Sequence, residues 1–344
     1  MTATIGWDIG GAHVKAARAE NGRIVAVTQR ACAPHLGLAH LEAPIRETLA
    51  ELGPAARHRV TMTAELSDAF EDRSAGVVSV AAIAAREIGA GDLLFYAGAR
   101  GFILRSSVAD AAEAVASANW RASAELVTQH CSDALFIDMG STTTDLVPIS
   151  NGRVDAQGAT DAERLACGEL AYAGFSRGAP QAYARLAPVG GQWTPLVNEA
   201  FASMADVRRA LGDLQEGDSA ADLSPTADGR PKTVAASRAR LARVVGRDGA
   251  EFSDAQAFSL AAYFARAQMR VIEDQIALLA SRNAIAPDAS FIGAGVGRAV
   301  AERLAQRQGR SYRDFAAFIV AASDELRVAA ANCAPATALA LLAL

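Results

Sequence analysis

The chain carries the same supersecondary unit twice. Residues 4–7 form a short apolar run ending in Asp8-Ile9-Gly10-Gly11. Residues 13–20 then alternate as a second strand, Asn21-Gly22 marks a tight hairpin turn, and residues 23–29 read as a third strand. The order returns from Leu135: an apolar strand to Asp138, the turn Met139-Gly140-Ser141-Thr142-Thr143-Thr144-Asp145, a strand over 146–150, the turn Asn151-Gly152, and a strand from Arg153. An internal repeat of this kind constrains the fold more than any composition figure. The opening is antiparallel, which excludes a dinucleotide-binding start, where the glycine turn runs into a helix. Two repeats in 344 residues imply two α/β lobes of similar topology, each offering a glycine-rich hairpin.

Between the repeats the pattern alternates. A helix is expected over 38–51, ending near Gly53 and Pro54. A strand over 59–62 leads into Thr63-Ala64-Glu65-Leu66-Ser67-Asp68, followed by a helix over 76–90 and a strand over 93–96. After the second repeat, 208–230 is rich in Gly, Asp and Ser and reads as irregular, within an insertion spanning about 190–250. A long amphipathic helix is expected over 253–283, with Phe258, Ala261, Ala262, Ala265, Met269, Ile272 and Ile276 on its apolar face. A strand over 290–292, the run Gly293-Ala294-Gly295-Val296-Gly297 and a helix over 298–307 follow.

Composition narrows the partners. The net charge of −5 argues against a nucleic-acid binder, which needs a basic surplus. No apolar run is long enough to span a bilayer, the run 336–344 included, and the first residues lack the basic and apolar parts of a signal peptide. The four cysteines form no CxxC pair, so neither zinc nor a disulfide framework is expected. A cytoplasmic protein without nucleic-acid or membrane partners is the expectation, with oligomeric state left open. An anionic ligand in so acidic a chain needs backbone amides, a lysine or a metal.

Three motifs supply these. In the first hairpin, Gly10 and Gly11 let amides approach an anion, Asp8 is placed to hold a metal-bound water, and Lys15 reaches back as a point charge. A plain hairpin with a surface lysine has the same pattern. In the second, Gly140, Ser141, Thr142, Thr143 and Thr144 line one tight turn with hydroxyl and amide donors. Asp138 and Asp145 flank it, a set that suits magnesium, whereas a capped turn with solvated hydroxyls is the plainer alternative. Gly293, Gly295 and Gly297 sit between strand and helix, where a helix N-terminus favours an anion or polar ring and where glycines also serve close packing. Glu65 and Asp68 are acid–base candidates or first-turn carboxylates of a helix cap. Asp228 and Arg230 lie on a turn that could order over an anionic ligand or remain solvated loop.

The three glycine motifs, in this order, resemble the two phosphate loops and the adenosine loop of the ASKHA superfamily (acetate kinase, sugar kinase, Hsp70, actin). More narrowly, residues 7–11, 63–68, 138–145 and 226–231 resemble the hydantoinase A/oxoprolinase family, in its short branch of tetrahydromethanopterin-linked C1-transfer proteins. The resemblance implies a two-lobed, actin-like fold of ribonuclease H-like repeats with a central cleft. Residues 1–130 plus about 326–344 would form the first lobe and 131–325 the second. It also implies an enzyme of methanofuran or methylofuran biosynthesis. Such an enzyme would condense an aminomethylfuran-methyl diphosphate with the phenol of γ-glutamyltyramine or a tyrosine-derived acceptor, releasing pyrophosphate. Magnesium would sit on Asp8, Asp138 and Asp145, with Asp8, Lys15, Glu65, Asp68 and Asp145 carrying the chemistry. The glycine and hydroxyl turns, Asp228 and Arg230 would bind the phosphates and their attached group. The alternative reading is an ATP-dependent kinase or ATPase of the same superfamily.

Overall fold

The structure is a computed structural model that describes residues 3–89, 91–218 and 221–342. The last position expected for the 76–90 helix, two positions of the 208–230 stretch and the end of the C-terminal apolar run lie outside the described residues, as do residues 1 and 2.

Strands β1 (Ala3–Ile9), β2 (His13–Glu20), β3 (Arg23–Ala31), β4 (Arg57–Met62), β5 (Asp92–Tyr96) and β6 (Phe102–Leu104) form one sheet in the order β3-β2-β1-β4-β5-β6. β1 runs antiparallel to β2 and parallel to β4. Strands β7 (Ala134–Met139), β8 (Thr144–Ser150), β9 (Arg153–Val154), β10 (Leu170–Ala171), β13 (Ser290–Ala294) and β14 (Tyr312–Asp314) build the second sheet. Its order is β10-β8-β7-β13-β14, with β9 beside β8, while β11 (Leu186–Val189) and β12 (Gln192–Pro195) make a separate ribbon. The repeat holds down to its turns. Asn21 and Gly22 have φ of 51° and 76°, Asn151 and Gly152 of 51° and 70°, the double left-handed geometry that lets a two-residue turn match strand twist.

Each sheet is covered on its outer face. Helices Ala39–Leu52 and Arg73–Ile88 pack on the first sheet, and Asp254–Ser281 with Arg298–Arg307 on the second. Between the sheets lie helices Asn119–Thr128 and Ala334–Leu342. They share one core with Ala17 and Ile24 of the first sheet and Phe136, Val147 and Ile292 of the second. The helix Ala334–Leu342 crosses β1 so closely that a Cβ on Gly6 would lie 2.0 Å from the Ala336 carbonyl oxygen. Two such sheets around a central cleft make an actin-like, two-lobed α/β fold.

The insertion is more ordered than its composition suggests. Helices Met204–Leu211 and Val234–Val244 flank the irregular stretch and pack, through Met204, Val207, Leu241 and Val244, on the first half of the long helix. Gly- and Asp-rich text hid this because the helices are held by buried ion pairs as well as by apolar burial. Asp206 receives Arg240 at 2.9 Å and Ser237 at 2.7 Å, while Arg209 reaches Asp222 at 2.6 Å. Removing one member of such a set leaves a buried charge uncompensated. Asp206→Ala is therefore expected to destabilise the protein by about 3–5 kcal/mol, read as a lower urea midpoint. An unchanged midpoint would show that the network contributes nothing. Phe258, expected on the apolar face of the long helix, is exposed. Ala261, Ala265, Met269, Ile272 and Ile276 are buried as expected, and the stripe also takes in Ala257, Leu260, Phe264 and Gln268, where the insertion packs against the first half of the helix.

Candidate functional site

The two hairpin turns are built alike. In the first, Ile9 pairs with Val14 and the Gly10 amide donates to the His13 carbonyl at 2.9 Å. In the second, Met139 pairs with Thr144 and the Gly140 amide donates to the Thr143 carbonyl at 2.9 Å. In each turn carbonyls are tied from behind. The Cys32 amide and thiol donate to the carbonyls of Ala12 and Gly10, at 2.9 and 3.0 Å. The amides of Gly174, Phe175 and Arg177 donate to those of Thr142, Gly140 and Ser141. Among the described residues, the amides of Gly11, Ala12, Ser141, Thr142 and Thr143 find no protein acceptor. Tied carbonyls and unpaired amides leave each turn with the donors that an anion-binding concavity requires.

Both turns face a cleft of about 280 Å³. The registers Asp8 opposite Lys15 and Asp138 opposite Asp145 place four charged side chains on its floor. Burial pushes the Asp8 carboxyl up, Lys15 draws it down and Asp145 adds repulsion; its Oδ1 is sealed without a hydrogen-bond partner. Asp138 is pushed up to about 7 by burial and then by Asp145, against the pull of Lys15. Asp145 is raised by burial, while Arg164 opposes the shift through a 2.7 Å ion pair. Burial works against the charge of Lys15, but the surrounding acids, Asp8 first, outweigh it and hold its pKa above the ordinary value. His13 is brought down to about 3 by burial and by Lys15 and Arg177, and stands neutral. The floor is thus short of cations, and among the described residues no three His, Cys, Asp or Glu side chains cluster tightly enough to hold a metal by themselves.

The other residues singled out in the sequence are distributed unevenly. Gly10, Gly11, Gly140, Ser141, Thr142 and Thr143 line the cleft. Thr144 is buried beneath it, its hydroxyl donating to the Ala173 carbonyl at 2.9 Å. Glu65 sits behind the wall, buried, accepting a 2.8 Å hydrogen bond from the hydroxyl of Ser117, which does line the cleft. Burial raises the Glu65 pKa and the Ser117 bond opposes it. Asp68 is exposed and outside the cleft. Asp228 accepts from Arg240 at 2.8 Å and from the Arg230 amide at 3.1 Å, and neither Asp228 nor Arg230 lines the cleft. The third glycine run is consumed by packing. A Cβ at Gly293 would meet the Tyr312 hydroxyl at 2.5 Å, one at Gly295 the Met139 carbonyl at 2.4 Å, and one at Gly297 the Met139 sulfur at 2.4 Å. The Gly295 and Gly297 amides already donate to the carbonyls of Ala331 and Met139.

Sequence reading missed Ser117, Trp120, Arg164, Tyr172 and Arg177, which complete the walls. Arg164 lies over Trp120, its guanidinium carbon 4.1 Å from the ring centre, and grips both Asp145 and the Glu169 carbonyl. The capping box Thr160/Glu163 was legible as a helix start, but nothing in it says that the arginine beside it turns inward.

Two methanogen proteins resemble the chain, each named (4-{4-[2-(gamma-L-glutamylamino)ethyl]phenoxymethyl}furan-2-yl)methanamine synthase. The Methanocaldococcus jannaschii protein is 29% identical over 65% of this chain, and the Methanococcus vannielii protein 32% identical over 40%. The chain spans 66% and 61% of the lengths of these curated relatives. A nucleotide-free acetone carboxylase structure superimposes with a TM-score of 0.52 at 11% identity, over 86% of this chain and 66% of that one, a likeness of fold alone. Among the described residues no helix is long and apolar enough to cross a membrane. The hydantoinase/oxoprolinase family profile matches residues 57–331, most of the chain, and the chain belongs to that family.

Proposed function

We propose that the chain is a transferase of cofactor biosynthesis that joins an aminomethylfuran-methyl diphosphate to the phenol of γ-glutamyltyramine, or of a tyrosine-derived acceptor, with release of pyrophosphate. The observation that carries this reading is the pair of amide-presenting turns facing each other with Lys15 between them, a cradle for two linked phosphates. The name of the two methanogen relatives supports it, because a phenoxymethyl-furan is the ether such a transfer makes.

The chemistry asks little of the protein beyond charge. The bond from the furfuryl carbon to the diphosphate oxygen breaks with its electrons going to the diphosphate, and the furan oxygen delocalises the cation left behind. The phenolic oxygen bonds to that carbon. Its proton passes to Ser117 as Ser117 gives its own to Glu65, which burial keeps a better proton acceptor than an ordinary carboxylate. Lys15 and the two sets of amides stabilise the negative charge that develops on the leaving group. Asp8, with its unpartnered buried oxygen, and Asp138, raised by burial and then by repulsion from Asp145, are the residues that would hold a magnesium ion. Bound there, magnesium would neutralise phosphate charge. Asp145 is engaged by Arg164 and shapes the floor beside them.

The test is pyrophosphate release from a furfuryl diphosphate in the presence of a phenol and magnesium, with no ATP. Ether formation is the expected result. ATP consumption without ether formation would overturn the reading in favour of a kinase. Glu65→Gln is expected to slow turnover by roughly ten- to a hundred-fold, within the usual general-base contribution, and to leave inhibition by pyrophosphate unchanged. Loss of pyrophosphate inhibition together with turnover would move Glu65 into the phosphate site.

A further inference from the structure

The cleft has a larger neighbour. A second cavity of about 640 Å³ lies on the far side of the first turn, and Gly11, Ala12, His13 and Arg177 line both spaces. Its volume comes from small side chains. Ala31 ends β3 and Ala33 follows it, and Ala39 and Ala43 face the cavity from the helix Ala39–Leu52, where bulkier residues would fill it. Leu36, on the one-turn helix Pro34–Leu36, and Leu223 add apolar walls from two distant parts of the chain. Leu36 is two-thirds exposed, an apolar side chain at the cavity that no protein group covers. A mostly apolar chamber opening beside a strongly polar cleft matches a ligand with an aromatic body and one polar end.

We propose that this cavity is the acceptor site: it holds the ring of the phenol, with the hydroxyl directed at the shared wall of Gly11 to His13. The inference rests on the transferase reading for its choice of ligand, and on the shared wall for its geometry. His13 and Lys15 are two apart on β2 and so point to the same face of the sheet. Neutral His13 offers its ring N–H to the phenolic oxygen at the boundary between the two spaces, which leaves the phenolic proton for Ser117 on the cleft side. Arg177, whose guanidinium lies 3.5 Å from the Thr142 hydroxyl, ties the same boundary to the second phosphate turn. Diphosphate and acceptor would then meet across one wall, each in a space of matching polarity.

Calorimetry with tyramine as the probe, at saturating magnesium and pyrophosphate, tests the site. Ala43→Phe fills the chamber and Leu36→Asp puts a charge on its wall, both at positions outside the closed core. Each is expected to weaken tyramine by about tenfold or more while pyrophosphate affinity stays within about twofold, which also reports that the variants are folded. Unchanged tyramine affinity in both variants, or loss of pyrophosphate affinity in parallel with tyramine, would overturn the proposal. The transferase reading fails separately. Wild type that makes no ether from furfuryl diphosphate, yet binds tyramine with the predicted variant pattern, keeps the site and loses the reaction.

Discussion

Asp8→Asn and Lys15→Ala are each expected to lower kcat/KM for pyrophosphate release by about a hundred- to a thousand-fold, the usual cost of removing one well-placed electrostatic contact to a developing charge. The two residues face each other across β1 and β2, so each also sets the other's charge state. The stability readout distinguishes a chemical role from a structural one. Asp8 is buried with one oxygen unpartnered, a native-state cost that the neutral amide reduces. Asp8→Asn relieves that cost but also takes from Lys15 the acid that chiefly sustains its charge, so Tm should stay near wild type while activity is lost. Near-wild-type turnover would remove the first hairpin from the mechanism. A Tm that falls together with activity would make Asp8 a packing residue.

Gly174→Val is expected to abolish pyrophosphate binding in calorimetry and with it most turnover, although residue 174 touches no ligand. A Cβ there would lie 2.4 Å from the Thr142 carbonyl carbon, 2.5 Å from its nitrogen and 2.6 Å from the Ser141 carbonyl carbon, all backbone atoms that cannot rotate aside. The turn must move, and its amides with it. The Gly174 carbonyl is also held by Gln268 at 2.7 Å, which Arg208 fixes in turn, so residue 174 cannot retreat cheaply. Overpacking of this kind costs about 1–3 kcal/mol, so the variant should fold with a lower Tm. Pyrophosphate binding like wild type would show that the second turn does not hold phosphate.

The architecture was legible because its strongest signals are local. The Asn-Gly turns, the alternation of 13–20 and the repeated Asp-to-glycine spacing are each readable within a few residues, and the strands of both repeats fell where they were expected, whereas β10, β11, β12 and β14 were not read. The two glycine-rich turns came with them, since both motif and geometry sit inside one hairpin. What sequence could not give is whatever depends on which surface meets which. The glycines at 293, 295 and 297 read equally as a ligand loop, and only their contact with Met139 and Tyr312 shows packing. Arg164 and Arg177 look like any surface arginine until their partners appear. One compositional clue went unused: the chain contains only two lysines, Lys15 and Lys232, against many arginines. In such a chain a lysine beside a glycine turn is a deliberate choice of a compact, strongly hydrated charge over a planar fork.

The helix Ala334–Leu342 lies against β1, at the opposite end of the chain, with its backbone in the groove that Gly6 leaves open. During synthesis β1 is therefore made well before the helix that roofs it. Until the helix Ala334–Leu342 emerges, the nascent chain presents the apolar surface of Ala17, Ala19 and Ile24 without that cover. Folding of the amino-terminal half waits on translation of nearly everything described, and the interval is one in which a chaperone, or aggregation, competes for the bare sheet.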